Sequence, residues 1–355
     1  MHKLTATCTI LEHEISELRL LVERQTGVVL DCPNSAVAAR VADFMETQEM
    51  DSSTLLEALR SPEQDPTVLP GLLDGLLNTN SGFFRHPGAL NTLTKQVLPQ
   101  IWSRKSADGP GPIRIWSAGC GTGEETYSIA MAVCDAVNPV NVSVPAVTKT
   151  SGSGPKTSAR SGGAENSQEA EPAAKLSAGC SIHIVGSDLL PGNIQIADRG
   201  VYPQSAVDGL PLTSIRNYFS KIGSPTPALV VEDDDESQYE DARSFPGSRR
   251  PLTAAHLLVK PRLRSLVTFN CMNLARSGYI GRFDCIFCMD VLSHFSRPQR
   301  LAVLERLHLY LEPGGYLFLS QTEKLAASNL NFRAETFDGY TYHRKPMAAS
   351  AAYGR

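Results

Sequence analysis

One stretch of the chain decides the fold: residues 113–125 read Ile-Arg-Ile-Trp-Ser-Ala-Gly-Cys-Gly-Thr-Gly-Glu-Glu. Apolar and β-branched residues over 113–118 predict a strand, and the pattern from Glu124 to Val137 predicts an amphipathic helix. The three glycines between them allow bare backbone to approach a ligand and to present N–H groups at the helix start. The stretch therefore predicts a strand, a ligand-binding turn and a helix.

The residues around these glycines narrow the class of ligand. No lysine follows the turn, which argues against a phosphate-binding P-loop, and the spacing Gly119-x-Gly121-x-Gly123 differs from the dinucleotide fingerprint. Glu124 and Glu125 would repel a pyrophosphate, whereas they suit a ligand that carries an ammonium or sulfonium charge. Taken alone, the motif is a weak signal, so other segments must support it.

Further apolar runs alternate with helical patterns along the chain. This alternation predicts an α/β fold with a doubly wound, mainly parallel sheet, covered on both faces, with ligands at the carboxyl ends of its strands. The first seventy residues show only helical patterns and predict a small all-α domain. The further predicted strands are 182–187, 266–270, 283–289 and 316–320, and the further predicted helices are 11–24, 36–47, 53–59, 193–199 and 298–311.

Two segments have a composition that cannot support a packed core. Residues 138–179 are rich in small and polar residues and contain no aromatic residue, and residues 223–251 include the acidic run 232–236. We expect both to be disordered inserts; the acidic run is a solvated loop or a binding segment for a basic partner. The predicted domains are 1–72 (helical) and 73–346 (α/β), followed by a tail at 347–355.

The charge balance bears on partners. With 33 Lys and Arg against 37 Asp and Glu, the net charge is −4, which disfavours nucleic acid as a partner. The first seventy residues carry five basic and twelve acidic side chains, a net charge of −7 that leaves +3 for the remainder.

Neither a signal peptide nor a membrane span is predicted, because no apolar run is long enough and acidic residues occur near the start. We expect a cytoplasmic monomer without membrane insertion. The C-x-x-C pair at Cys285 and Cys288 lies in an apolar run typical of a buried strand, so no metal is expected.

Asp188, which ends the second predicted strand, is a candidate ribose ligand. An acid about twenty residues beyond a glycine turn commonly binds ribose hydroxyls. Asp188 lies 65 residues beyond Gly123, and removing the 42-residue insert 138–179 leaves 23. The alternative is that Asp188 caps the helix that starts near Pro191.

Residues 117–131 read Ser-Ala-Gly-Cys-Gly-Thr-Gly-Glu-Glu-Thr-Tyr-Ser-Ile-Ala-Met, and residues 81–87 read Ser-Gly-Phe-Phe-Arg-His-Pro. Together with 187–188, 199–202, 259–264, 267–274 and 283–288, these pieces resemble the CheR-type chemotaxis protein methyltransferases. That family uses S-adenosylmethionine to methylate glutamate side chains of chemoreceptors. The resemblance covers about 75–344 apart from the inserts, and in the first piece the family has Ser and Pro at positions 121 and 126.

The resemblance implies a Rossmann-like methyltransferase domain, S-adenosylmethionine as cofactor, and a chemoreceptor-like protein with methyl-accepting glutamates as partner. Asp188 would bind the ribose, and Asn273 and Leu274 would lie near the adenine. Arg85 would lie at the amino-acid end, where its guanidinium can hold the substrate carboxylate, the cofactor carboxylate or both. The implied cofactor-binding residues are Thr79, Ser81, Arg85, Glu125, Asp188, Asn273, Leu274, Met289 and Asp290, and the implied catalytic residues are Arg85 and His294.

Several positions depart from the family pattern. Met289-Asp290 replaces Arg-Asn, which removes a cation and predicts weaker cofactor binding or a changed substrate. His294 replaces a tyrosine; it either donates a hydrogen bond in its place or merely caps the strand end. The remaining departures are Thr79 for Asn, with Asn78 and Asn80 as possible substitutes, Ser81 for Thr, and Leu190 for an acid or amide.

The acidic first domain is a further departure, because the family's receptor-docking helix is typically basic. Arg40 is nearly the only cation on the matching helix, so docking onto an acidic receptor helix would gain little Coulomb attraction. We conclude that the chain is an S-adenosylmethionine-dependent protein-glutamate O-methyltransferase. The alternatives are a methyltransferase for another carboxylate or small molecule, and a cofactor-binding signalling module without turnover.

Overall fold

The computed structural model describes residues 10–61, 63, 65–77, 81–108, 111–137, 181–222, 256–276, 278, 281–323, 325 and 330–347. The α-helices are α1 (Glu12–Thr26), α2 (Asn34–Thr47), α3 (Ser52–Arg60), α4 (Val68–Leu76), α5 (Pro87–Thr92), α6 (Leu98–Asp108), α7 (Glu124–Val137), α8 (Pro191–Arg199), α9 (Leu212–Tyr218), α10 (Pro261–Arg264) and α11 (Arg297–Tyr310). The strands are β1 (Ile113–Ala118), β2 (Ile182–Asp188), β3 (Val201–Pro203), β4 (Phe219–Ile222), β5 (His256–Val259), β6 (Val267–Cys271), β7 (Phe283–Cys288), β8 (Leu311–Leu319), β9 (Arg333–Phe337) and β10 (Tyr340–Arg344).

Seven strands form the main sheet in the order β6-β2-β1-β7-β8-β10-β9. The five strands from β6 to β8 are parallel, whereas β10 is antiparallel to both of its neighbours. This confirms the predicted doubly wound, mainly parallel sheet. Because the strand order reverses between β1 and β7, the carboxyl ends of these two strands open a crevice of the kind that binds ligands.

The first four helices share one apolar core. Leu18, Val41 and Leu55 are fully buried in it, and Leu190, from the loop after β2, packs into the same core. Within α2, Arg40 donates a hydrogen bond of 2.8 Å to the Leu76 carbonyl, which ends α4. The predicted division of the chain between residues 72 and 73 falls inside α4 and stays a prediction.

A second sheet, in the order β3-β5-β4, follows α8 and was not predicted from the sequence. Its antiparallel strands are only three or four residues long, too short to show alternation, and 223–255 between β4 and β5 lie outside the described residues. Phe83 packs edge-on against Tyr202 of β3 and Phe219 of β4. The small sheet therefore supports the Phe-Phe-Arg segment.

Several predictions fall on parts of the chain that the structure leaves undescribed. The predicted inserts 138–179 and 223–251 lie outside the described residues, as does the predicted tail except for Met347. Within the described ranges, no helix has both the length and the apolar composition needed to span a membrane.

A buried charge network joins the amino-terminal ends of β1 and β7. Asp284 is 1% exposed, and its carboxylate contacts Arg104 Nη2 at 3.2 Å and Lys105 Nζ at 2.9 Å. The backbone N–H of Arg114 donates to Asp284 Oδ2 at 2.9 Å. The network thus ties α6 to β1 and β7, the two strands that border the crevice.

We expect Asp284→Ala to lower the free energy of unfolding by about 3 kcal/mol, because two cations lose a buried partner. Urea denaturation measures the change. Glu305→Ala, an exposed site on α11, is the control and should stay within about 0.5 kcal/mol of the parent. Equal stability of the two variants would contradict the assigned role of the network.

Candidate functional site

A cavity of about 230 Å³ lies where the strand order reverses, at the carboxyl ends of β1, β2 and β7. The glycine turn after β1 forms its floor, and the loops after β2, β6 and β7 form its walls. The cavity residues used below are Val28, Ser81, Arg85, His86, Gly119, Gly121, Glu125, Asp188, Asn273, Leu274, Met289, Asp290, Val291 and His294.

The glycine turn is held against two neighbouring strand ends. The N–H groups of Gly119 and Cys120 both donate to the Ser187 carbonyl, at 2.7 and 2.9 Å. Gly119 has φ +81°, and a Cβ there would lie 2.3 Å from Val291 Cγ2. Only glycine satisfies both the positive φ and this close contact. The turn after β7 therefore packs directly on the turn after β1.

Asp188, the last residue of β2, lines the cavity and is 9% exposed. Its Oδ2 accepts a hydrogen bond of 2.9 Å from the Gly121 N–H. Its Oδ1 accepts bonds from the Leu190 N–H at 2.9 Å and from Asn193 Nδ2 at 3.0 Å. The carboxylate thus holds the chain just before and at the start of α8 while it lines the cavity, and its ribose-binding role stays a prediction.

The two acids at the start of α7 have different surroundings. Glu124 accepts hydrogen bonds of 2.6 Å from Ser81 and Thr122 through Oε2. Glu125 lines the cavity, and its Oε1 accepts a bond of 2.7 Å from Ser117. Burial raises the pKa of Glu125 to about 7, against the hydrogen bond from Ser117, which lowers it. Glu125 is therefore the acid that can meet a cationic ligand.

Arg85 and Asp290 form an ion pair at one wall of the cavity. Arg85 Nη2 lies 3.2 Å from Asp290 Oδ2, and His86 Nε2 lies 3.3 Å from the same oxygen. The Phe84 N–H donates to Ser128 Oγ on α7 at 2.9 Å, which fixes the segment that carries Arg85. Arg85, which was predicted to hold a carboxylate of the substrate or the cofactor, thus contacts the carboxylate of Asp290.

The first helix reaches the opposite wall. Asn273 Nδ2 donates to the Gln25 carbonyl near the end of α1 at 3.3 Å, and Leu274 also lines the cavity. Val28 pairs with Phe295 in an isolated β-bridge and lines the same wall. The adenine-binding role predicted for Asn273 and Leu274 thus falls where the helical region closes the cavity.

The remaining predicted site residues are one that is buried, one that is exposed and some that lie outside the described residues. Met289 is 6% exposed, and its sulfur lies 3.9 Å from the Tyr340 hydroxyl, which donates to the Leu319 carbonyl at 2.6 Å. His294 is exposed at the cavity edge, and its carbonyl accepts from the Val29 N–H at 2.8 Å. Thr79, together with Asn78 and Asn80, lies outside the described residues.

Residues 79–148 and 240–340 match the family model described as "CheR methyltransferase, SAM binding domain". Chemotaxis protein methyltransferase 1 of Pseudomonas aeruginosa is 28% identical over 311 residues, covering 86% of this chain and 88% of the relative. Chemotaxis protein methyltransferase Cher2 of Pseudomonas putida is 26% identical over 318 residues, covering 88% and 90%. Over these residues the chain is similar to the CheR methyltransferase SAM-binding domain, and these relatives are chemotaxis protein methyltransferases.

Among solved structures, the chain is similar to the magnesium protoporphyrin IX methyltransferase of Synechocystis, solved with bound SAM. The TM-score is 0.27 and the identity 14%, with 73% of this chain and 78% of that chain covered. The fold of the chain is therefore assigned from its own strand order and not from this similarity.

The cavity residues of this SAM-binding domain fit S-adenosylmethionine. A Cβ at Gly121 would lie 3.2 Å from the Ser81 Cβ, so the glycine leaves backbone open where the turn faces the cavity. Asp188 can accept from ribose hydroxyls, and Glu125 can receive the ammonium group. These two carboxylates are hydrogen-bond acceptors of the kind that the hydroxyl and ammonium groups of the cofactor require.

Sequence reasoning missed Glu323, which follows β8. Its two carboxylate oxygens accept bonds of 3.1 Å from the N–H groups of Asp290 and Ser293. The available signal was its place just beyond the carboxyl end of a central parallel strand, where site residues of such sheets gather. His86 was also missed, although it directly follows Arg85 in the sequence.

We expect S-adenosylmethionine to bind more tightly as the pH rises from 6 to 8, by about tenfold, because a pKa of about 7 makes Glu125 mostly neutral at the lower value. Isothermal titration calorimetry measures the affinity. Glu125→Gln should bind more weakly than the parent at pH 8 and lose this dependence. A parent affinity that is flat across this range would contradict the assignment.

The ligand-free protein should show the opposite trend. The folded-state pKa of Glu125 lies above its ordinary value, so the stabilising contribution is present at low pH and is lost as the pH rises through about 7. Glu125→Gln should therefore gain stability over the parent at pH 8 more than at pH 5, as measured by urea denaturation.

Proposed function

We propose that the chain transfers a methyl group from S-adenosylmethionine to glutamate side-chain carboxylates of a protein, of the chemoreceptor type. The observation that carries the proposal is that Arg85 and Glu125 line one cavity, in a chain that matches the CheR methyltransferase SAM-binding domain. The relatives' names, which specify chemotaxis protein methyltransferases, support the choice of acceptor.

The acceptor requires positioning more than activation. A glutamate side chain is ionised at pH 7, so no strong general base is needed to make it a nucleophile. When bound, the cofactor supplies a methyl group on a positively charged sulfur, and attack by a carboxylate oxygen breaks the carbon–sulfur bond with the electron pair left on sulfur. Holding the oxygen in line with that bond supplies much of the rate enhancement.

Arg85 is the residue that we assign to hold the acceptor carboxylate. Its guanidinium is a rigid fork with five N–H donors, which suits a carboxylate better than a lysine ammonium would. Asp290 contacts this guanidinium through Nη2. The acceptor therefore binds next to Asp290, or it takes the place of Asp290 on Arg85.

The charges on helix α2 indicate what kind of protein surface the acceptor presents. Arg40, the main cation of α2, donates to the Leu76 carbonyl and therefore has a structural role. The same helix exposes Asp43 and Glu46. An acidic receptor helix would thus gain little attraction here, and we expect the acceptor to present a neutral or basic surface to α2.

A second candidate is a module that binds the cofactor, or a signalling partner, without turnover. The ion pair between Arg85 and Asp290 favours it, because a carboxylate of the chain already contacts the expected carboxylate clamp. The two candidates differ in whether methyl transfer occurs after the cofactor has bound.

The test combines binding with transfer. Calorimetry should detect S-adenosylmethionine binding, and the tritiated methyl group should then appear on cytoplasmic fragments of chemoreceptors. Arg85→Ala should lower kcat/KM for transfer about a hundredfold, since the acceptor loses a charge-assisted hydrogen-bond partner. Arg333→Ala, on the exposed strand β9, should match the parent.

Three results would decide against parts of the proposal. Absence of binding would overturn every enzymatic interpretation. Binding without transfer to any fragment would favour the non-catalytic module. Parental activity of Arg85→Ala would refute its role as the carboxylate clamp.

A further inference from the structure

The segment that carries Arg85 lines the cavity with every residue but one. Of the six residues 81–86, five line the cavity and Phe83 does not. The Phe83 ring packs edge-on against Tyr202 of β3, at a centroid distance of 5.0 Å, and against Phe219 of β4, at 5.5 Å. Phe83 therefore joins this segment to the small sheet, outside the cavity.

The two rings that hold Phe83 are themselves fixed. Tyr202 is 2% exposed, and its hydroxyl donates a hydrogen bond of 2.7 Å to the Thr122 carbonyl in the glycine turn. Phe219 is 4% exposed and pairs with Val259 of β5. Edge-on aromatic pairs add stability beyond the area that they bury. The small sheet thus gives the Phe83 ring a defined position.

The backbone between Phe83 and Arg85 is strained. Phe84 has φ +52°, in the left-handed region that a bulky side chain rarely adopts. Such a conformation persists only where the surrounding contacts hold it. The contacts present here are the ring packing of Phe83 and a hydrogen bond of 2.9 Å from the Phe84 N–H to Ser128 Oγ on α7. Without the Phe83 ring, Phe84 would relax toward a negative φ and redirect the residue that follows.

Arg85 depends on this backbone because its side chain is only partly enclosed. The side chain is 46% exposed, so the packing around it fixes it only in part. Its Nη2 lies 3.2 Å from Asp290 Oδ2, and a shift of about 1 Å would lengthen this contact beyond hydrogen-bond range. The position of the guanidinium therefore follows the backbone of residues 83–85.

We propose that Phe83 is a positioning residue, through which the small sheet holds Arg85 in the geometry that binds the acceptor carboxylate. This inference rests on the proposed function, which assigns the acceptor carboxylate to Arg85. Phe83 does not line the cavity, so its effect on methyl transfer passes through Arg85. A misplacement of about 1 Å in a positioning group costs up to about a hundredfold in rate.

The test is a double-mutant cycle on methyl transfer to cytoplasmic fragments of chemoreceptors. Phe83→Leu should lower kcat/KM about tenfold, because the guanidinium loses its fixed position. The variant that combines Phe83→Leu with Arg85→Ala should match Arg85→Ala within about twofold, because Phe83 acts through Arg85. The Kd of S-adenosylmethionine, measured by calorimetry, should keep its parental value in Phe83→Leu.

Phe332→Leu is the matched control. Like Phe83, Phe332 is partly buried against the core, and its ring packs edge-on against His308 at 5.0 Å. It directly precedes β9, the last strand in the order of the main sheet. Both Leu variants lose a similar ring contact and should show similar drops in melting temperature, whereas only Phe83→Leu should lower kcat/KM.

A milder change keeps the test decisive if Phe83→Leu fails to fold. Phe83→Met keeps a large, flexible apolar side chain but loses the edge-on ring contacts. It then replaces Phe83→Leu in the cycle and should lower kcat/KM in the same direction.

A crystal structure of the Phe83 variant reads the position of Arg85 without any turnover. We expect Arg85 Nη2 to lie more than about 4 Å from Asp290 Oδ2, beyond hydrogen-bond range, against 3.2 Å in the parent. An unchanged distance overturns the positioning role.

The outcomes separate this inference from the proposed function. A parent that transfers no methyl group refutes the proposed function, and the crystal structure still decides whether Phe83 holds Arg85. Where the parent transfers, parental kcat/KM in Phe83→Leu, or an equal drop in Phe332→Leu, overturns the positioning role. A further drop in the double variant overturns the dependence on Arg85, and a rise in Kd as large as the fall in kcat/KM overturns the link to the acceptor.

Discussion

The contact between Gly119 and Val291 fixes the relative position of two strand ends. A side chain at position 119 would overlap Val291, so the turns after β1 and β7 can approach only because one residue is glycine. This approach places Glu125 on one side and Asp290 on the other. The shape of the cavity between them depends on that contact.

Much of the sheet could be predicted because its strands are long, apolar and separated by clear helical patterns. The predicted bounds of β1 and α7 agree with the structure, since strand, glycine turn and helix follow one another without interruption. The elements that were not predicted are helices α4, α5, α6, α9 and α10, strands β9 and β10, and the sheet β3-β5-β4. Helix α4 contains Pro70 and two glycines, and the small sheet is made of strands too short to show a period.

Site residues could be predicted where they belong to a sequence motif. They could not be predicted where they are distant in sequence and come into contact only in the folded chain. The described site candidates all line the cavity; most follow a strand end or the glycine turn, whereas Ser81 and Arg85 lie in the segment before α5. Glu323 carried no motif of its own, and its partners Asp290 and Ser293 lie thirty or more residues earlier. The pairing of Arg85 with Asp290 was equally hidden, because the sequence shows two separate charges and not the 3.2 Å between them.

The packing of Leu190 limits how the helical region and the sheet could be exchanged between this chain and its relatives. It adjoins the loop that carries the Asp188 carboxylate, yet its side chain packs into the core of the first four helices. The helices and the sheet are therefore not interchangeable modules. A chimera that joined this helical region to the sheet of a relative with an acid or amide at position 190 would bury that polar group in an apolar core. Exchange of the two parts would succeed only if the loop after β2 were transferred with the helices.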